Sequence, residues 1–189
     1  MKILKMYKKA SDWLTNYSGD LPLLFLRLLL AYAFFGPAME KWGNMDATIA
    51  WFGNPDWGLG LPFPELNAYM AASVEIVGVV LLVLGLGSRL ISIPLVFVML
   101  MAYFTVHIDH GWLAIASSSA DPGVAERLDL ARGILKEHGN YSWLTEKGSF
   151  VVLQNGAEFV VTYIVMLFTL ISFGSGRISL DYLLSKKLK

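Results

Sequence analysis

The sequence predicts an all-α membrane protein: a transmembrane four-helix bundle with an N-terminal interfacial helix and an amphipathic helix in an outer loop. Three observations predict it. The chain is 56% hydrophobic and only 16% charged, against about 25% charged in an ordinary soluble domain. The charge deficit is concentrated in four apolar stretches, each near the roughly 20 residues that a helix needs to cross a bilayer core of about 30 Å. Short polar connections separate them, so residues 1–189 read as a single membrane domain.

Residues 3–17 come first. They place Ile3, Met6, Tyr7, Trp13, Leu14 and Tyr17 on one helical stripe with lysines elsewhere, the pattern of a helix lying in the membrane interface. The first span, about 21–39, is apolar except for Arg27. Lys2, Lys5, Lys8 and Lys9 before it resemble the start of a signal peptide. However, no small-residue cleavage site follows Met39 and Arg27 interrupts the run, so the span is expected to be retained. The second span, about 67–86, is apolar except for Glu75. The third, about 90–106, has no charge. Gly87-Ser88-Arg89 joins these two, which must form a tight antiparallel hairpin. Ser88 reads as the N-cap of the third span and Pro94 falls near its first turn. The fourth span, about 150–173, is broken by Gln154, Asn155, Glu158 and a few hydroxyl residues.

Lysine and arginine in short loops set orientation. Lys2, Lys5, Lys8, Lys9, Arg89, Arg177, Lys186, Lys187 and Lys189 fall on one side. Lys41, Arg127, Arg132, Lys136 and Lys147 fall on the other, among ten acidic residues. The first side is expected to be cytoplasmic, with both termini there, in a bacterial-type inner membrane. Two loops then face the periplasm. The first is dense in Trp, Pro and Gly, with Trp42, Trp51, Trp57, Pro55, Pro62 and Pro64. It reads as an interface anchor or as a cap over a binding site. The second, 108–149, holds an amphipathic helix over about 121–138. Asp121-Pro122 starts it, Val124, Leu128, Ala131 and Leu135 follow at helical spacing, and His138-Gly139-Asn140 ends it.

The informative residues are the ionisable ones inside the spans. A charge at mid-bilayer costs several kcal/mol, so it faces protein and pairs, or it does work. Ala71, Gly78 and Gly85 recur on one face of the second span and permit close helix contact; Glu75 lies within about 40° of that face. Arg27, Ala31, Phe34, Ala38 and Lys41 share a face of the first span, and Asn155, Glu158, Thr162 and Thr169 share one of the fourth. At about 1.5 Å per residue, Glu158 lies about 10 Å, Glu75 about 13 Å and Arg27 about 18 Å below the outer ends of their spans. Lys41 stands at the outer mouth and His107 at the outer end of the third span. Two readings remain: a buried ion-pair network that fixes helix register, or an outward-facing polar pocket that binds a small molecule or moves protons. A buried carboxylate suits proton transfer linked to redox chemistry. His107, Asp109 and His110 offer metal ligands near the membrane surface; a full site needs three or four, and only these are clustered, so the histidines read as capping or pocket-lining. Met99, Met101 and Met166 read as packing.

Composition also excludes. The chain has no cysteine, which removes thiol–disulfide chemistry, thiolate metal sites and Cys-bound iron–sulfur clusters. Its net charge is zero and no basic run is dense enough for nucleic acid.

Several segments resemble the DoxX family. They are Leu26-Arg27-Leu28 through Lys41; Ala71-Ala72-Ser73-Val74-Glu75 with Gly78 and Gly85-Leu86-Gly87-Ser88-Arg89; Phe104-Thr105-Val106-His107 with Gly111-Trp112-Leu113-Ala114-Ile115-Ala116; Asn155-Gly156-Ala157-Glu158; and Phe173-Gly174-Ser175-Gly176-Arg177-Ile178-Ser179-Leu180-Asp181. The resemblance implies a four-helix membrane bundle. It also implies one of several roles: a membrane subunit of a quinone-linked oxidoreductase, a component of oxidative-stress or metal-binding-peptide handling, or an assembly factor for other membrane proteins. By match it carries over Arg27, Glu75, Arg89, His107, Asn155 and Glu158, with Arg89, Gly78 and Gly85 as structural positions.

The expectation is a redox-associated membrane component. It would hold a quinone or another small molecule in a pocket lined by Arg27, Lys41, Glu75, His107, Asn155 and Glu158. Its partners would be lipids, a periplasmic or membrane protein supplying the redox chemistry, and further copies of itself. The alternative is a non-enzymatic accessory factor that binds a partner through its outer loops.

Overall fold

The computed structural model describes residues 2–117 and 121–188. Lys189 and the side chains of Lys2 and Tyr17, used above, lie outside the described residues. The chain forms two compact units: Met1–Met101 with Tyr163–Lys189, and Ala102–Thr162. The sequence alone reads as one domain; the division arises because the segment after the third span hydrogen-bonds mainly to itself.

In the first unit, α1 (Lys2–Ser18) leaves Ile3, Leu4, Met6, Tyr7, Trp13 and Leu14 exposed. Helix α2 (Asp20–Gly43) runs a turn past the apolar stretch and so carries Lys41 and Trp42; no breaker stops it before Gly43-Asn44, and Pro37 is tolerated within it. The loop after α2 is folded. It contains α3 (Met45–Gly53) and a turn in which Asn54 Oδ1 accepts from the backbone N–H groups of Asp56 and Trp57, while Leu59 N–H donates to Trp51 O. Helix α4 (Pro64–Leu84) has proline at its first position, where the missing N–H costs nothing. Its buried stripe is Ala68, Ala72, Glu75, Gly78 and Leu82. Ala72 rather than Ala71 therefore sits on the buried small-residue face. A Cβ at Gly78 would meet Leu95 Cδ1 at 3.0 Å, so the glycine is what lets α5 (Ser88–Ala102) come close. The core joins Leu30 and Phe34 of α2, Leu82 of α4, Ile91 and Leu95 of α5, and Leu167 and Leu170 of α8 (Glu158–Phe173). A last short helix, α9, spans Leu180–Lys187.

Two expectations need correction here. Pro94 is not in the first turn: α5 begins at Ser88, which places the proline inside the helix. The fourth apolar stretch is not one helix either. Helix α8 begins only at Glu158, and its 16 residues extend about 24 Å. Among the described residues, three helices are long and apolar enough to cross a membrane: Asp20–Gly43, Pro64–Leu84, and Ser88–His110 counted through its distorted end.

The second unit explains the shortened fourth helix. Past α5 the helix widens into a π turn, Tyr103–His107, then a 3-10 turn, Ile108–His110. The chain that follows pairs with the residues before α8. Ala116 N–H donates to Val152 O, Gln154 and Asn155 N–H to Ala114 O, Gly156 N–H to Leu113 O, and Glu158 N–H to Trp112 O. Asn155 adopts φ 59°, a conformation that asparagine tolerates better than most residues. A Cβ on Gly156 would come within 2.6 Å of Leu113 O. These two residues turn the chain, so residues 150–157 cannot continue a helix. Helix α6 (Pro122–His138) is capped by Asp121, whose Oδ1 accepts from Gly123 N–H at 2.8 Å, and it buries Val124 and Leu128. The short α7 (Tyr141–Leu144) follows.

Candidate functional site

Lys41 and Glu75 face each other between α2 and α4. Lys41 Nζ lies 3.0 Å from Glu75 Oε1 and 2.8 Å from Oε2. The Glu75 side chain is only 3% exposed and that of Lys41 20%. The carboxylate is thus sealed while its cation keeps an edge open. One turn away, Trp42 Nε1–H donates to Ala72 O and its ring meets Tyr69 edge-on. The alanines Ala38, Ala68 and Ala72 are fully buried, which admits the lysine stem between the helices. An ammonium has three N–H donors, and two are directed at Glu75, which leaves one.

Arg27 does not join this pair. Seven residues along α4 from Glu75, about 10 Å, it serves the helix end. Its Nη1 donates to Leu82 O at 2.9 Å, with Val83 O at 3.4 Å, and its Nη2 donates to Ile178 O at 2.5 Å. The side chain is buried, 1% exposed. A cation on the final carbonyls of a helix opposes the negative end of its dipole. Gly85, at φ 65°, makes room: a Cβ there would stand 2.4 Å from Arg27 Nη1 and 2.6 Å from Ser179 Cβ.

The complementary charge is Asp181, which sequence reasoning did not single out. Its Oδ1 accepts from Gly87 N–H at 2.8 Å and its Oδ2 from Ser88 N–H at 3.4 Å and from the Ser175 hydroxyl at 2.5 Å. Asp181 therefore caps the start of α5. Ser88, expected to do so, is the helix's first residue, and its own hydroxyl is buried without a partner among the described residues. Arg89 Nη1 donates to Ile171 O near the end of α8. Arg177 bonds Asp20 through its Nε and its backbone N–H, and the Asp20 carboxylate beside it holds the guanidinium above its usual range. The two motifs Gly85–Arg89 and Phe173–Asp181 thus clasp each other. Asp181→Ala is expected to cost about 1–2 kcal/mol, as for the loss of a good N-cap, read as a lowered midpoint of thermal unfolding in detergent.

In the second unit, His107 Nδ1 lies 2.8 Å from Asn155 O, Gln154 Nε2 donates to His110 O, and Glu158 Oε2 accepts from Ala114 N–H at 3.2 Å. Asn155 contributes its backbone carbonyl here. No three His, Cys, Asp or Glu side chains are grouped to hold a metal ion among the described residues, so His107, Asp109 and His110 do not assemble a site there. Of the predicted pocket residues, the structure brings together Lys41 with Glu75, and His107 with Asn155.

Comparison with known proteins places these residues in a family. The DoxX family model matches residues 22–108, a stretch that holds Arg27, Lys41, Glu75, Arg89 and His107 and ends before Asn155, Glu158 and Asp181. An uncharacterized protein of Haemophilus influenzae is 25% identical over 168 residues, 87% of this chain and 83% of that relative. A Bacillus subtilis protein named "Putative oxidoreductase CatD" is 32% identical over 91 residues, 48% of this chain and 63% of that relative. The match to the second thus spans less than two-thirds of its length. No solved structure matches the chain. Residues 22–108, just under half of the chain, thus carry a DoxX family domain.

Proposed function

We infer that the protein is a redox-associated membrane component that binds a quinone, or a small molecule of similar polarity, at the Lys41–Glu75 pair. The observation that carries this reading is a carboxylate sealed inside a membrane-spanning helix pair, with a cation that remains partly exposed and has a donor to spare. A quinone carbonyl needs such a donor, and a buried carboxylate is the group that holds or yields a proton when the ring is reduced or oxidised. A bound quinone supplies two-electron redox chemistry; the electrons would come from a partner protein, since the chain has no cysteine or redox motif of its own. The name of the Bacillus relative is consistent with an oxidoreductase setting. In this reading α2, α4, α5 and α8 form the four-helix bundle, both termini are cytoplasmic, and Lys41 opens to the periplasmic side. Titration of the purified protein with a soluble ubiquinone or menaquinone analogue should give saturable binding, weakened about tenfold or more in Glu75→Gln. Absence of saturable binding, or equal binding by Glu75→Gln, refutes the site.

A second reading has its own observation. Trp57, Trp112 and Trp143 are exposed in the outer segments, which suits an accessory factor that docks a partner protein through tryptophan anchors. Crosslinking to a stoichiometric partner through Trp57, with no ligand binding at Lys41, would favour it.

A further inference from the structure

Helix α9 carries features that the ion pair and the clasp do not use. Leu180, Leu183 and Leu184 are exposed, and with Leu86 they wall a surface groove of about 470 Å³ that ends at Lys186 and Lys187. A second groove of about 410 Å³ shares Leu86 and continues along α5 past Leu90, Ile91 and Pro94. Neither lysine forms a salt bridge among the described residues. Lys186 Nζ stands 4.8 Å over the Tyr182 ring. Asp181, the acid on α9, lines the second groove, but its carboxylate is taken up by Gly87 N–H, Ser88 N–H and the Ser175 hydroxyl.

Apolar walls with two cations, and with the one lining carboxylate already hydrogen-bonded, match one kind of molecule. Its tails must be hydrocarbon, to cover leucines at the end of membrane-spanning helices. Its head must be anionic, because a zwitterionic head brings its own cation to the lysines and leaves their charge uncompensated. Two grooves that share one leucine match two tails. We propose that α9 and the α4–α5 turn form a seat for an anionic glycerophospholipid, its phosphate held by Lys186 and Lys187 and its acyl chains lying in the two grooves that share Leu86. This seat is independent of the Lys41–Glu75 reading.

The test uses the full-length protein in nanodiscs of equimolar phosphatidylcholine and phosphatidylglycerol, with native mass spectrometry of the lipids retained on ejection. Phosphatidylglycerol should be enriched among the adducts. Lys186→Gln with Lys187→Gln should lower that enrichment about tenfold or more, while Lys186→Arg with Lys187→Arg keeps it. Lys8→Gln with Lys9→Gln on α1 should also leave it unchanged, and soluble glycerol phosphate should not displace the lipid. Equal retention of the two lipids, unchanged enrichment in the Lys186/Lys187 glutamine variant, an equal loss in the Lys8/Lys9 variant, or displacement by glycerol phosphate would each overturn the seat.

Discussion

Lys41→Met is expected to destabilise the protein by about 3–4 kcal/mol, because it strands the Glu75 carboxylate in the helix interface without its cation. The lower part of the range for breaking a buried pair applies, since the lysine is one-fifth exposed and part of its charge is solvated before the change. Glu75→Leu alone should cost somewhat less, as the remaining ammonium has an exposed edge to use. The double variant Lys41→Met with Glu75→Leu should recover most of the loss, because replacing a buried ion pair by apolar side chains of similar volume is often neutral. Equilibrium unfolding of the four proteins in mixed micelles gives the coupling directly. Additive losses would mean that the two side chains do not depend on each other.

Arg27→Met should be comparably costly, about 3–4 kcal/mol. It takes the Arg27 donors from the partly buried Ile178 carbonyl and from Leu82 O, which keeps only Gly85 N–H at 3.3 Å, losses worth about 1–3 kcal/mol each, and it removes the cation near Asp181. Arg27→Lys should restore only part of this. The two guanidinium nitrogens reach carbonyls on two different segments, and a single ammonium cannot take the place of that planar fork. The same unfolding measurement checks it; full rescue by lysine would show that charge alone matters at this position.

The two variants act at separate places, and that separation was the hardest thing to read from the sequence. Helical arithmetic placed Glu75 toward protein, and a buried Glu75 follows from it. The same arithmetic placed Arg27 and Lys41 on one face of α2, but depths of about 13 Å for Glu75 and about 18 Å for Arg27 set the carboxylate nearer the arginine, whereas it pairs with Lys41, which α2 carries by running past its apolar stretch. Asp181 was hidden for a different reason. It lies 93 residues from the helix start it caps, and nothing local marks an acid after an exposed turn as a cap for another helix. The apolar run 150–173 misled because hydropathy sums side chains and ignores backbone. The signal against it was Asn155-Gly156, a turn dipeptide, and the structure turns there at φ 59°. The Asp121-Pro122 start of α6, by contrast, is pure local chemistry, and the cap to Gly123 N–H forms as its residues dictate.

A buried ion pair that only fixes helix register and one that also receives a ligand predict the same stability cycle, so stability cannot separate them. Ligand binding by the double variant can. If Lys41 and Glu75 form the binding site, Lys41→Met with Glu75→Leu should fold with near-native stability yet lose saturable binding of a soluble menaquinone analogue, its affinity falling by at least about a hundredfold for two lost polar contacts. A double variant that binds the analogue as the native protein does would contradict the account and leave the pair as a structural lock.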